Sequence, residues 1–417
     1  MSTPMSVEQY RDLILQDVAA LPSAQLPLAQ CLGLTTTATV TAHVAVPPFT
    51  NSAMDGFAVH AEDVASASPD NPITLQVIGE VPAGAVSDEW VGNGQAVRVM
   101  TGAAVPGGAN AVVPVEQTDQ QPGAAPLPDE IRVNAAVGER ANIRLAGEDL
   151  AEGDLVLAAG VLLDATSVAA AAATGHGTLS VIGKPRVAII ATGSELVAPG
   201  QPLDRGQLHD SNSIMLFGLA QEAGANPVSV SRCSDTPAEL DQAIAEAVRT
   251  ADVVITTGGV SVGTHDVVKN SALADVLSFV RVAMQPGKPQ GHGVLTSPDG
   301  RRVPIVTLPG NPVSVFVSWH CFVVPLLNRL VGRDAETATR WTRAVAGQDW
   351  RSPAGRRQYI PVARLDNDLV VPTHRLGSGS HLIASLHLAD GLAVIPADVD
   401  QVTAGDRVDV LTTRCWR

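Results

Sequence analysis

The sequence predicts a multidomain α/β and β protein, in which one parallel α/β domain is flanked by β-rich domains. Three observations carry this. From Lys184 onward strand-like and helix-like stretches alternate ("RVAIIA", "SNSIMLFGLAQEAG", "PVSVSR", "PAELDQAIAEAVR", "DVVITT"), the pattern of a doubly wound parallel sheet. Residues 48 to about 147 read as short strands punctuated by Gly and Pro, such as "PITLQVIGEV", "QAVRVMTGA" and "ANAVVPVEQ". After residue 334 short alternating strands return and continue through Trp416.

Taken in order, residues 6–20 predict a helix, with Ser6 and Gln9 in a capping-box pattern and Leu13, Ile14 and Val18 as its apolar stripe. The Ala-rich run from Thr166 to Ala173 is a strong helix former stopped by Gly175. A helix so small-sided packs closely on another element; the N-terminal helix is the expected one, which makes the first domain discontinuous. In the α/β stretch, Thr236 reads as an N-cap, Pro237 as the first helical residue and Glu239 as N3. The strand in "VPIVTLPGNP" leads into a long apolar helix from Pro312 toward Gly332, with a bend expected at Pro325. The resulting division is 1–47 with 148–183, then 48–147, 184–334 and 335–417.

Composition narrows the function. At 417 residues the chain is long enough for several cores, and 45% hydrophobic against 17% charged is an ordinary globular balance. A formal charge of -15 argues against nonspecific binding to nucleic acid or an anionic membrane, and 3% aromatics against a base-stacking surface. No signal-peptide pattern opens the chain, and no run is expected to reach transmembrane length; a cytoplasmic protein is expected. Cys31, Cys233, Cys321 and Cys415 are widely spaced and read as free thiols.

In a parallel sheet, ligands bind beside the strand C-termini. Three loops follow such ends: Thr192-Gly193-Ser194-Glu195, the Gly-rich "GGVSVG" at 258–263, and Leu308-Pro309-Gly310-Asn311-Pro312. Gly258, Gly259 and Gly263 would let backbone N–H groups approach a phosphate. Thr264 and His265 stand where a Walker A loop has its lysine. Asn311 as N-cap and Pro312 at N1 would leave helix N–H groups open to an anion. Tight βα turns that need Gly for geometry alone are the structural alternative. Glu195, Asp235 and Asp266 mark the same edge, which suits a divalent cation bridging to phosphate; alone, Asp235 could equally belong to the helix start and Asp266 to a surface turn. Lys288, between Pro286-Gly287 and Pro289, is either a fixed cation or a solvated turn lysine. Arg356 and Arg357 in "SPAGRRQY", with Ser378 and Ser380 in "LGSGSH", form either an exposed turn or an oxyanion site. Asp55 in "MDGF" and Asp149 in "GEDLAEGD" read, by residue chemistry alone, as turn residues.

The stretches "PPFTNSAMDGFAV", "VMTGAAVP", "AGEDL", "ATGSEL", "DSNS", "DVVITTGGVSVGTHD", "PGKP", "LPGNPVS" and "GSGSH", in this order, resemble the MoeA family of molybdopterin molybdenumtransferases, related to the E domain of gephyrin. The resemblance runs nearly end to end. It implies an elongated homodimer of four-domain subunits: a discontinuous dimerisation domain, a β-rich domain, an α/β domain that binds the pterin and a C-terminal β-barrel. The implied reaction inserts molybdate into adenylyl-molybdopterin, with Mg2+, releasing AMP and forming the molybdenum cofactor. Carried over, Asp266, Glu195 and Asp235 match acidic site residues, with Glu195 and Asp266 as the metal pair. Gly258, Gly259, Ser261 and Gly263 match the pterin-phosphate loop, and Lys288, Arg356 and Ser380 the oxyanion side. Asp55, Thr101 and Asp149 would reach an intersubunit site. Gln285 stands where some family members carry lysine, a basic residue further upstream appears as Arg281, and Thr50 stands where Asp is frequent.

The resemblance also brings alternatives. The adenylyltransferase that makes the adenylylated pterin shares the α/β fold but would be a single short domain, and it enters here as a possible partner instead. A scaffold or carrier role like that of gephyrin relies on a fused domain and linker that this chain does not show. A tungstate-inserting paralogue remains open, because molybdate and tungstate have nearly the same size and charge.

Overall fold

The computed structural model describes residues 4–86, 88–123, 125–259, 271, 274–336, 340–365 and 368–413. The alternation after Lys184 builds a six-stranded sheet ordered Asn226–Cys233, Arg186–Thr192, Val253–Thr257, Arg302–Leu308, Gln290–Thr296, Ser278–Val280. The first four strands are parallel. The last two are antiparallel additions, so the sheet is mixed at one side rather than wholly parallel.

Helix Asn212–Glu222 covers one face, with Leu216, Leu219 and Ala220 against Val187, Ile189 and Ile255. Helix Pro237–Thr250 covers the other, with Leu240, Ile244 and Val248 against Ala188, Ile190 and Val254. Strands buried on both faces read as continuous apolar runs, as these do.

Residues 56–133 contribute a five-stranded sheet ordered Ala111–Pro114, Gly56–Val59, Gln95–Val99, Ile73–Val81, Glu130–Val133. The segments on either side of it pair with each other: Ser23–Pro27 and Thr35–Thr36 flank Thr178–Ile182, and Val40–Thr41 pairs with Leu155–Leu157. At the C-terminal end, Arg357–Arg364, Leu369–Pro372, Arg340–Ala346, Arg407–Thr412 and Gly391–Ile395 pair in a ring that closes between Arg357–Arg364 and Gly391–Ile395. Closure leaves no free edge in that ring. The short strand Met284–Gln285 of the α/β region adds in parallel to Arg357–Arg364 and ties the two units together.

Several local expectations are corrected. The Ser6–Gln9 capping box forms, but its helix is Val7–Leu15 and packs in one core with the α/β helices, through Val7, Tyr10 and Ile14. The Ala-rich helix Ala165–Ala173 does not pack on it; its buried Ala171 joins Cys31, Leu34, Leu163 and Val181 instead. Thr236 stands at the N-cap without a side-chain cap bond, and Glu239 turns away to accept from the Ser234 N–H and hydroxyl.

The bend expected at Pro325 is a π-helical turn, Trp319–Val323, between helices Pro312–Ser318 and Val324–Leu330. Pro325 then falls in a first helical turn, where a missing N–H is tolerated. Contrary to expectation, Pro312–Leu330 is long and apolar enough to span a membrane; since 78% of it is buried inside the protein, it is a core helix. Cys31, Cys233 and Cys321 are buried free thiols, while Cys415 lies outside the described residues.

Candidate functional site

Strand Arg186–Thr192 has Asn226–Cys233 on one side and Val253–Thr257 on the other, so the strand order reverses between Arg186–Thr192 and Val253–Thr257. Crossovers leave that point in opposite directions and open a crevice at the strand C-termini. Thr192 and Gly258 stand on its two lips. A Cβ on Gly258 would lie 2.4 Å from the Thr192 carbonyl oxygen, and φ there is +90°. Only glycine lets these backbones approach so closely.

The third loop meets them. The Gly258 N–H donates to the Leu308 carbonyl (3.1 Å), and a Cβ on Gly310 would lie 3.5 Å from the Gly258 Cα. The Thr257 hydroxyl donates to the Pro309 carbonyl (3.2 Å), and the Asn212 amide bridges Thr257 Oγ1 (3.1 Å) and the Gly310 carbonyl (2.7 Å). Gly259 follows with φ +66°. Ser261, Gly263 and Asp266 lie outside the described residues.

Two exposed carboxylates gather at the first loop. Asp235 Oδ2 accepts from the Ser194 N–H (3.0 Å), and the Ser194 hydroxyl accepts from the Asp235 N–H (3.1 Å). The Glu195 carboxylate folds back over Gly193, where a Cβ would be 2.6 Å from its Oε2. Among the described residues no group of three His, Cys, Asp or Glu is placed to hold a metal. A pair of carboxylates nevertheless suits a hard cation that keeps waters and takes its other ligands from phosphate.

Asn311 starts helix Pro312–Ser318 without capping it, and the Val313 N–H is taken by the Ser380 carbonyl (3.0 Å). Fewer helix N–H groups are therefore open to an anion than the sequence suggests. The same bond brings the "GSGSH" loop against this edge. Ser378 is buried, its hydroxyl accepting from Gln358 Nε2 (2.9 Å).

The two arginines part company. Arg357 pairs with Glu8 of the first helix, whereas Arg356 donates to Gln285 Oε1 (3.2 Å). Lys288 titrates below the ordinary lysine range, first because its ammonium is partly desolvated and then because Arg356 and Arg281 repel its proton. Arg356 and Arg281 thus both lie within electrostatic reach of Lys288.

A second cluster sits on the five-stranded sheet. Asp55 accepts from both the N–H and the hydroxyl of Thr101, and these bonds hold its carboxyl below the usual range. A cavity of about 680 Å³ adjoins it, lined among others by Phe57, Glu80, Arg98, Met100 and Glu116. Asp149 is exposed, its N–H bonded to the Val46 carbonyl (3.0 Å).

Asn212 and Gln285 have structural roles at the site that motif reasoning did not give them. Asn212 is the first residue of its helix, which Asp210 caps by accepting from the Ser213 N–H, and the loops its amide bridges lie 45 and 98 residues away. Gln285 likewise carries no local signal, because its partner Arg356 is 71 residues away.

A reversing parallel sheet with a glycine-lined crevice, carried among β-rich units, defines a multidomain α/β ligand-binding protein. Known proteins narrow the class. Residues 5–175 match the MoeA N-terminal region (domain I and II), residues 188–329 a probable molybdopterin binding domain, and residues 343–413 the MoeA C-terminal region (domain IV). The chain is 39% identical to molybdopterin molybdenumtransferase 2 of Mycobacterium tuberculosis H37Rv over 97% of its own length and 98% of that protein. It is 35% identical to the molybdopterin molybdenumtransferase of Bacillus subtilis 168, over 90% and 86%. The crystal structure of the molybdopterin biosynthesis protein MoeA from Pyrococcus horikoshii OT3 superposes with a TM-score of 0.79 at 30% identity, covering 98% of this chain and all of that one. The chain belongs to the MoeA family.

Proposed function

We propose that this enzyme inserts molybdate into adenylyl-molybdopterin, releasing AMP and forming the molybdenum cofactor. The observation that carries the reading is the Thr192–Gly258–Gly310 crevice at the reversal of the sheet, in a chain whose relatives over nearly its full length are named molybdopterin molybdenumtransferase. Gly259, continuing into Ser261 and Gly263, cradles the pterin phosphate, with Asn311 on the facing loop, while Gly258, whose N–H donates to the Leu308 carbonyl, opens the loop close beside Thr192. Lys288 and Arg356, with the hydroxyls of Ser378 and Ser380, receive the tetrahedral molybdate dianion.

Glu195, Asp235 and Asp266 form the acidic side, and Glu195 with Asp266 would hold Mg2+, which supplies charge neutralisation for the departing AMP. The functional unit in this reading is an elongated cytoplasmic homodimer of four-domain subunits, divided as the sequence suggests except that helix Val7–Leu15 packs with the α/β domain. Asp55, Thr101 and Asp149 of one subunit then complete the site of the other. The molybdopterin adenylyltransferase is the natural donor of the adenylylated pterin.

The test supplies purified protein with adenylyl-molybdopterin, Mg2+ and molybdate, and follows AMP together with activation of an apo-molybdoenzyme. Both should occur. Binding of the adenylylated pterin without turnover would instead mark a carrier, and preference in a tungstate competition would mark a tungsten enzyme.

A further inference from the structure

The turn that carries Lys288 is fastened from beneath by a residue with no part in the proposed reaction. Gln290 opens strand Gln290–Thr296 and is fully buried. Its Nε2 donates to the Gly287 carbonyl at 2.5 Å and to the Ser318 hydroxyl at 2.6 Å. Ser318, also fully buried, closes helix Pro312–Ser318 just before the π-helical turn. One carboxamide thus links the residue before Lys288 to the core helix.

Packing alone does not call for this side chain. An apolar residue is the ordinary occupant of a fully buried strand position; here the amide Nε2 has two partners while Oε1 has none among the described residues, so burying this side chain carries a cost that packing does not offset. The orientation is dictated: were the amide reversed, its oxygen would face the Gly287 carbonyl, acceptor against acceptor. The turn also needs an outside tether. Pro286 and Pro289 have no N–H, so "PGKP" is short of donors with which to fix itself and must be held through its carbonyls. Gly287 meanwhile lies against Met284, whose Cε would be 2.8 Å from a Cβ there, and its φ is +126°.

We propose that Gln290, acting with Ser318, is a positioning residue for oxyanion binding: it holds the Pro286–Pro289 turn so that the Lys288 ammonium stands beside Arg356 in the pose that receives a tetrahedral dianion. The inference rests on the reading of Lys288 as an anion contact. Gln290 itself touches no substrate.

The chain's lysines are Lys184, Lys269 and Lys288, so reductive 13C-methylation, which keeps the charge, gives a short lysine spectrum in which Lys288→Arg assigns Lys288. In folded Gln290→Leu, the Lys288 titration should move up toward the ordinary lysine value. The molybdate concentration for half-maximal AMP release should rise about fivefold, the scale of one net hydrogen bond, with the maximal rate little changed. Ser318→Ala should shift both in the same direction by about twofold, and it decides the matter if Gln290→Leu does not fold. An unmoved Lys288 titration with an unchanged molybdate requirement overturns the proposal. If Lys288→Ala leaves the molybdate requirement unchanged, the anion-contact reading fails and takes the positioning role with it. A Lys288 titration that still moves in Gln290→Leu would then show that the tether exists without serving molybdate.

Discussion

Asp55 accepts two hydrogen bonds from Thr101, from the backbone N–H at 2.6 Å and from the hydroxyl at 2.7 Å, across 46 residues of sequence. The N–H is the larger cause of the lowered Asp55 pKa and the hydroxyl the next. A carboxyl whose folded pKa is depressed contributes stability above its unfolded value, and loses it as pH falls through the folded one. Asp55 is exposed, so the stability at stake is small. The useful readout is the titration itself. In Thr101→Val the N–H remains and the hydroxyl is lost, so Asp55 should titrate higher than in the parent yet below an ordinary aspartate. Carboxyl 13C NMR measures this, and the acid limb of AMP release should move up with it if Asp55 acts as a carboxylate in turnover.

Much of this organisation was legible in sequence because it is local. The Ser6–Gln9 box and the individual strands and helices of the alternation after Lys184 each depend on a few neighbouring residues. What stayed hidden is long-range or competitive. Glu239 has the spacing of an N3 capping residue, but the nearby Ser234 offers its carboxylate both an N–H and a hydroxyl, and that contact wins. Arg356 and Arg357 are indistinguishable as sequence neighbours; only the fold brings Glu8 to one and Gln285 to the other. The Ala-rich helix reveals that it packs closely, not on what.

Asp235 offers a separation of charge from hydrogen bonding. Asp235→Asn keeps an oxygen to accept from the Ser194 N–H, so thermal unfolding should change by less than about 1 kcal/mol. The charge is lost, and AMP release should fall by at least about a hundredfold, with a raised Mg2+ requirement. Asp266→Asn should behave alike, folded but without AMP release. Normal turnover in either variant would remove that carboxylate from the acidic side.

His320, in the π-helical turn, supplies a pH effect on stability. Its ring packs edge-on against Phe316 (centroids 4.6 Å apart), and its Nε2 is buried without a hydrogen-bond partner among the described residues. Desolvation pushes its pKa down to about 3. The unfolded chain therefore binds a proton near the ordinary histidine value that the folded chain refuses. Stability should fall as pH drops below about 6.5 and continue to fall toward the folded pKa. Part of the residue reaches the surface, which limits the loss to a few kcal/mol. Chemical denaturation at pH 7 and pH 5 should show a smaller difference in His320→Leu than in the parent.

Gly258→Ala tests the crevice most directly, because two penalties act at that position and a second glycine isolates one of them. Gly200 has a similar φ, +84°, with nothing within 4 Å of where a Cβ would stand, whereas at Gly258 the Thr192 carbonyl oxygen lies 2.4 Å and the hydroxyl oxygen 2.8 Å from that point. Gly200→Ala should therefore cost about 1 kcal/mol, the backbone strain alone. Gly258→Ala should cost about 3 kcal/mol or more, since a backbone carbonyl cannot swing aside as a flexible side chain does. Prising Thr192 from Gly258 also widens the two lips of the crevice. Affinity for the adenylylated pterin should drop by more than about tenfold, the scale of one lost charge-assisted hydrogen bond. Equal stability losses in the two variants, measured by denaturant unfolding, would mean that the strands are not held so close at their C-termini.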